Sequence, residues 1–182
     1  MLKAKELSRI EAGELVMREL ETDHEKGQTT ETIGEMNASG ETIFKLLADY
    51  QSYPEFMSAV DGIEITDQTG NQATLNYTLK SMLGVTKKYR VEIVADTLAD
   101  LVWKIEWHLV EWPSLTVMET IADTQGYWLI IEQASQKSLI QYYVYTDPGP
   151  LPFGLGGIVN ALAKSSIKEV FLETRARAES GP

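Results

Sequence analysis

Of the side chains that commonly move protons or hold metals, this chain of 182 residues contains two histidines and no cysteine. Disulfides, thiolate metal sites and cysteine nucleophiles are therefore excluded. His108 stands in the segment LVWKIEWHLVEW, where period-two alternation places it with Lys104 and Glu106, opposite Trp103, Ile105 and Trp107. If the tryptophans point into a pocket, His108 points to solvent or to a partner. Only a β-bulge that inverted the register would turn Glu106 and His108 inward. His24 lies in a run of acidic residues, far from His108 in sequence, and no carboxylate cluster has metal-ligand spacing. A serine nucleophile would have no credible histidine beside it. Gly154, Gly156 and Gly157 invite a phosphate-loop reading, but no Lys-Ser/Thr pair follows in the required place. The sequence thus assigns no catalytic residue, no metal and no cofactor.

Tyrosine is more informative: eight are present, and a buried phenol seeks a hydrogen-bond partner. A formal charge of −11, from 27 acidic and 16 basic residues, excludes a general nucleic-acid binder. The same charge disfavours anionic membranes. Lys80, Lys87, Lys88 and Arg90 are read as a solvated face or an edge guarded against aggregation. No run reaches the roughly 20 apolar residues of a spanning helix, so stable membrane insertion is not expected. Without an apolar leader or cysteine, a cytoplasmic location is the default. A homodimer is left open.

The elements that must position these residues follow from periodicity. An acidic extension over residues 1–27 holds a short helix through Leu7 and Ile10, then GELVMRELE, which fits a strand or a helical turn. It is expected to pack on or beside a single domain over 28–182. A strand near Thr29–Asn37 opens that domain. Ile43, Phe44, Leu46, Leu47 and Tyr50 then make one helical face, capped by Ser39 or Gly40. Pro54 interrupts this pattern and restarts a short helix. From Gly62 the period becomes two: GIEITDQ, ATLNYTLK, TKKYRVEIVAD, LVWKIEWHLVEW, SLTVMETIADT, a turn at Gln125-Gly126, YWLIIEQ and SLIQYYVYTD. So many consecutive strands favour an antiparallel meander. A proline- and glycine-rich stretch leads into a final helix over about Leu155–Ala178, roughly 35 Å long at 1.5 Å per residue. Gly154, Gly156 and Gly157 weaken its first turn by about 1 kcal/mol each, which marks that end as a gate.

Three motifs in this order carry a family resemblance. FKLLADYQSYPEFMSAVDGIEI is similar to a helix-turn-helix with the run D-Y-x-x-Y-P-x-F; GYWLIIEQ is similar to a Gly-x-Trp strand; DPGPLPFGLGGIVNALAKSSIKEVFLETRARAE is similar to a D-P-G…L-P…N approach to the last helix. Together, over about residues 28–180, they resemble the START-like or helix-grip (SRPBCC) superfamily, in its polyketide-cyclase/dehydrase and coenzyme-Q-binding branch. The resemblance implies an α+β helix-grip fold. In it a curved antiparallel sheet of about seven strands wraps around the long C-terminal helix, with two short helices after the first strand.

Between sheet and helix the resemblance implies an apolar cavity. Its expected ligand-binding walls are Phe56, Leu75, Tyr77, Tyr89, Val91, Trp103, Ile105, Trp107, Trp128, Ile130 and Tyr142, with Val159, Asn160, Leu162, Ala163 and Ser166 on the helix. Apolar stripes at this spacing also serve as plain core. The function expected first is a carrier or sensor of a hydrophobic small molecule such as a lipid, isoprenoid quinone or polyketide-like aromatic. The alternative is a polyketide aromatase/cyclase-dehydratase, for which Arg90 and His108 fall on the wrong face. A third reading is an interaction module using the outer sheet face around Lys88–Glu92 and Lys104–His108.

Overall fold

The computed structural model describes residues 2–21, 26–81, 84–151 and 156–181, with the side chains of the last helix from residue 165 onward. Eight strands form one sheet in the order β1-β2-β8-β7-β6-β5-β4-β3, every neighbouring pair antiparallel. They are β1 (Val16–Leu20), β2 (Gln28–Met36), β3 (Val60–Thr69), β4 (Gln72–Leu79), β5 (Lys88–Ala99), β6 (Val102–Val110), β7 (Asp123–Ala134) and β8 (Lys137–Asp147). The helices are α1 (Ala4–Glu11), α2 (Gly40–Ala48), α3 (Tyr53–Phe56) and α4 (Gly156–Glu179), with a 3-10 turn at Tyr50–Ser52. The sheet is curved and α4 lies along its length, as in a helix-grip fold. The eighth strand comes from GELVMRELE, whose Val16 pairs with Ile33 of β2.

Local chemistry explains the path after β2. The Ser39 hydroxyl caps α2 by accepting from the Thr42 N–H at 3.2 Å, satisfying one of the four free amides of the first turn. Glu132 of β7 accepts from the Gly40 N–H at 2.9 Å and pins the same end to the sheet. A Cβ on Gly40 would lie 2.1 Å from the Trp103 ring, so the absent side chain is what lets α2 settle on β6. The helix ends at Asp49, and Pro54 occupies the first turn of α3, where its missing N–H costs nothing.

The sheet's inner face is packed around Met36, Ile43, Leu47, Leu75, Ile105, Ile130, Ile140 and Phe171, each with essentially no exposure. On the outer face α1 covers a smaller cluster of Ile10, Val16 and Ile33. Arg18 of β1 binds Glu6 of α1 at 2.6 Å and Glu31 of β2 at 3.1 Å. Arg175 of α4 reaches the Gly13 carbonyl at 3.1 Å, passing over Gly34 where a Cβ would meet it at 2.8 Å. The amino-terminal unit is thereby tied to both faces of the sheet.

Three expectations fail. The segment read as SLTVMETIADT is irregular up to Ala122, and β7 runs straight through Gln125 and Gly126 with no turn. The glycine there marks a close approach: a Cβ on Gly126 would stand 2.3 Å from the Tyr143 carbonyl and 2.5 Å from Trp107. Lys87, read as a solvated charge, is only 8% exposed. Its ammonium donates to the carbonyls of Met118, Thr120 and Pro150 at 2.9, 2.7 and 3.1 Å. Three carbonyl dipoles substitute for water around a cation that has no carboxylate partner among the described residues.

Candidate functional site

Beyond the packed end, the inner face encloses a cavity of about 430 Å³, within the range of small-molecule sites. Strands β4 and β5 contribute Tyr77, Leu79, Tyr89, Val91 and Ile93, while β6, β7 and β8 contribute Trp107, Trp128, Tyr142 and Val144. Met57 and Val60 close it beside α3, and Ser166, Ile167 and Val170 of α4 form the roof. Alternation explains this wall: Tyr89, Val91 and Ile93, like Tyr142 and Val144, are spaced by two and share one side of the pleat. Ser58, Lys80, Ser81 and Glu169 both line the cavity and are exposed, so it opens near them. Lys87 stands at this end and ties the β6–β7 loop to the stretch after β8.

The aromatic rings are arranged in pairs. Tyr77 and Tyr89, opposite each other in the β4–β5 register, stack at 4.9 Å with planes 6° apart; Trp128 and Tyr142, opposite each other on β7 and β8, stack at 3.9 Å and 10°. Directly opposed residues on antiparallel strands are close enough for such contact. Burial pushes the phenols of Tyr77, Tyr89 and Tyr142 well above the ordinary tyrosine range, because the anion would lose its hydration. These groups are neutral donors throughout the physiological range. Tyr53 differs in having a partner, for its hydroxyl donates to the Leu47 carbonyl at 2.5 Å.

Of the residues expected at the wall, Tyr77, Tyr89, Val91, Trp107, Trp128, Tyr142 and Ser166 line this cavity. Trp103, Ile105 and Phe56 do not. Trp103 is covered by α2, its ring 6.4 Å from Phe44. Ile105 is sealed in the core, and Phe56 packs edge-on against Tyr53 at 5.9 Å. Leu75 and Ile130 are likewise core. The side chains of Val159, Asn160, Leu162 and Ala163 lie outside the described residues, as does Gly154. Sequence reasoning missed Ile93, Val144 and Lys87 as lining residues. Alternation contains all three, since Lys87 has the parity of Tyr89 and Val91. Tyr53 comes from the one-turn helix α3, and Met57 and Ile121 from loops, none of which carries such a period.

His108 is on the outer face, about half exposed, with Nε2 3.4 Å from the Glu92 carboxylate. Arg90 is also outside, donating to Asn76 at 2.8 Å and lying over the Trp112 ring at 5.3 Å. Neither reaches the cavity. Among the described residues no group of histidines and carboxylates could hold a metal ion, and no helix is long and apolar enough to cross a membrane.

Residues 36–147 match the family model described as polyketide cyclase / dehydrase and lipid transport. No curated protein matches the chain in sequence. Among solved structures, a STAR-related lipid transfer protein from Xanthomonas axonopodis is similar with a TM-score of 0.77 at 13% identity, over 90% of this chain and 93% of its own. Human StAR-related lipid transfer protein 5 gives 0.78 at 12% identity, over 92% and 83%. The Zhui aromatase/cyclase from Streptomyces sp. R1128 gives 0.66 at 11% identity, over 90% and 94%. At such identities the likeness is one of fold.

Proposed function

The chain belongs to the polyketide cyclase/dehydrase and lipid transport family, and from that premise and the cavity together we propose that it is a carrier or sensor that encloses a hydrophobic small molecule between the sheet and α4. The observation that carries this reading is the cavity itself, about 430 Å³ walled mainly by Val, Ile, Leu, Met, Tyr and Trp side chains. Removing apolar ligand surface from water would supply affinity at about 25 cal/mol per Å². The wall supports binding better than catalysis. Its phenols can donate a proton but are held neutral. The Lys87 ammonium has all three protons on backbone carbonyls. Glu169, the lining carboxylate among the described residues, is exposed at the rim and accepts from Ser165 at 3.0 Å.

Native mass spectrometry of gently purified protein is expected to show an adduct lost on organic extraction, and the extract should raise the melting temperature of the stripped protein by mass action. Absence of an adduct, with no shift from a panel of lipids and quinones, would sink the reading. Turnover of a poly-β-keto substrate beyond its spontaneous products would instead establish the cyclase alternative.

A further inference from the structure

The cavity's polar groups divide into those already satisfied and those left waiting. Thr124 donates to the Tyr145 carbonyl at 2.9 Å and meets Thr146 at 3.3 Å; Tyr53 and Lys87 are bonded as described. The hydroxyls of Tyr77, Tyr89 and Tyr142 have no partner among the described residues, although Tyr142 is only 8% exposed. They are not among the sealed orphan atoms either, which are Thr32 Oγ1 and Arg175 Nε and Nη2. All three side chains line the cavity. A phenol that is both desolvated and unbonded loses the hydrogen bonds it had in water, a loss that a ligand atom can restore.

Resting on the reading of the cavity as a hydrophobic-ligand site, we infer that Tyr77, Tyr89 and Tyr142 select a ligand with a neutral oxygen, a ketone, quinone or hydroxyl, over an ionised head group. Charge argues the same way. Among the described residues the cation inside the cavity, Lys87, is saturated by carbonyls, and at the rim Lys80 and Glu169 have opposite signs. A carboxylate or phosphate carried past the rim, where Lys80 stands, would lose its hydration and meet no free cation inside the cavity among the described residues. A carbonyl would accept from one or two phenols, and a hydroxyl could also donate to them.

The test compares decane, methyl octyl ketone, decanol and decanoate by calorimetric titration of the whole protein at neutral pH. The proteins are the wild type, Tyr77→Phe, Tyr89→Phe, Tyr142→Phe and the triple variant. Phenylalanine removes only the oxygen, and circular dichroism checks that each variant is folded. Decane should bind all five proteins alike. The ratio of ketone to decane affinity should fall about tenfold in the variant lacking the hydroxyl that the ketone uses, and at least as far in the triple variant. Decanoate should bind the wild type at least about tenfold more weakly than the ketone. If decane binds but the ratio is unchanged in every variant, or if decanoate binds as tightly as the ketone, the inference is overturned while hydrophobic binding stands. If none of the four binds, the reading of the site falls and takes the inference with it.

Discussion

The inner face of the sheet has two halves built from the same kind of strand, and only one of them is solid. At the solid end α2 lies on β6, the Phe44 ring faces Trp103, and Ile105, Ile130 and Ile140 are fully sealed. At the hollow end Trp107, Trp128 and Tyr142 point to the same side of the same strands, yet about 430 Å³ remains open above them. Residue type does not separate the halves, for each has tryptophan beside β-branched side chains. What separates them is cover. Gly40 lets the first turn of α2 come down onto Trp103, whereas the hollow end is spanned by α4 and by loops that Lys87 holds at the rim. The pocket is the part of the concave face that α2 does not reach.

The strongest test of the contrast is alkaline stability, because it asks whether the hollow end is dry. Phenols pushed above the usual value of 10.0 stay protonated in the folded protein after they would ionise in the unfolded chain. The folded state then binds more protons, so stability is fully present below pH 10 and is lost as pH rises through the raised folded values. Each such tyrosine contributes a slope of up to about 1.4 kcal/mol per pH unit. Three together should lower the urea midpoint steeply above pH 10, and the triple phenylalanine variant should flatten the profile. Tyrosine absorbance titrating near its ordinary position in native protein would show a water-filled cavity instead.

Next in size is truncation in the solid half. Ile130→Ala deletes a side chain with no exposure, surrounded by packed neighbours that cannot close the gap, and should cost about 2–5 kcal/mol in denaturant unfolding. A loss under about 1 kcal/mol would mean that this end also yields, and the division would dissolve. Gly126→Ala follows at about 1–3 kcal/mol. It forces a methyl against the Tyr143 carbonyl on one side and Trp107 on the other, and only the ring can move. Because Trp107 lines the cavity, this variant should also alter tryptophan emission and ligand affinity. An unchanged emission spectrum would show that Trp107 does not depend on the glycine.

The strands are legible because half-buried antiparallel strands alternate strictly, and alternation alone places His108 and Arg90 on the outer face. It also placed Trp103, Ile105 and Trp107 on one side, where they are. It could not say that α2 ends its coverage between Ile105 and Trp107, because that depends on where a helix docks and not on the pleat. Lys87 shows the same limit from the other direction. Its parity pointed inward, but charge argued for solvent, and the carbonyls that receive it come from residues 31, 33 and 63 positions away. The irregular stretch before β7 reads as a strand because Leu115, Val117, Ile121 and their polar neighbours alternate as a strand would, while its pairing with β5 is confined to an isolated bridge between Thr120 and Lys88.

The finest comparison sets two buried tyrosines against each other. Tyr53, beside the solid half, donates its hydroxyl to the Leu47 carbonyl at the end of α2, and Tyr53→Phe leaves that buried acceptor without its partner. The expected cost is about 1 kcal/mol. Tyr142, in the hollow half, gives up nothing within the protein when it becomes phenylalanine, since its oxygen has no partner among the described residues and the ring keeps its stack on Trp128. Its stability without ligand should stay within about 0.5 kcal/mol of wild type, or rise slightly as a desolvated orphan is removed. Equal losses for the two variants would mean that the Tyr142 hydroxyl is bonded in solution, and the hollow half would then hold one donor fewer for a ligand.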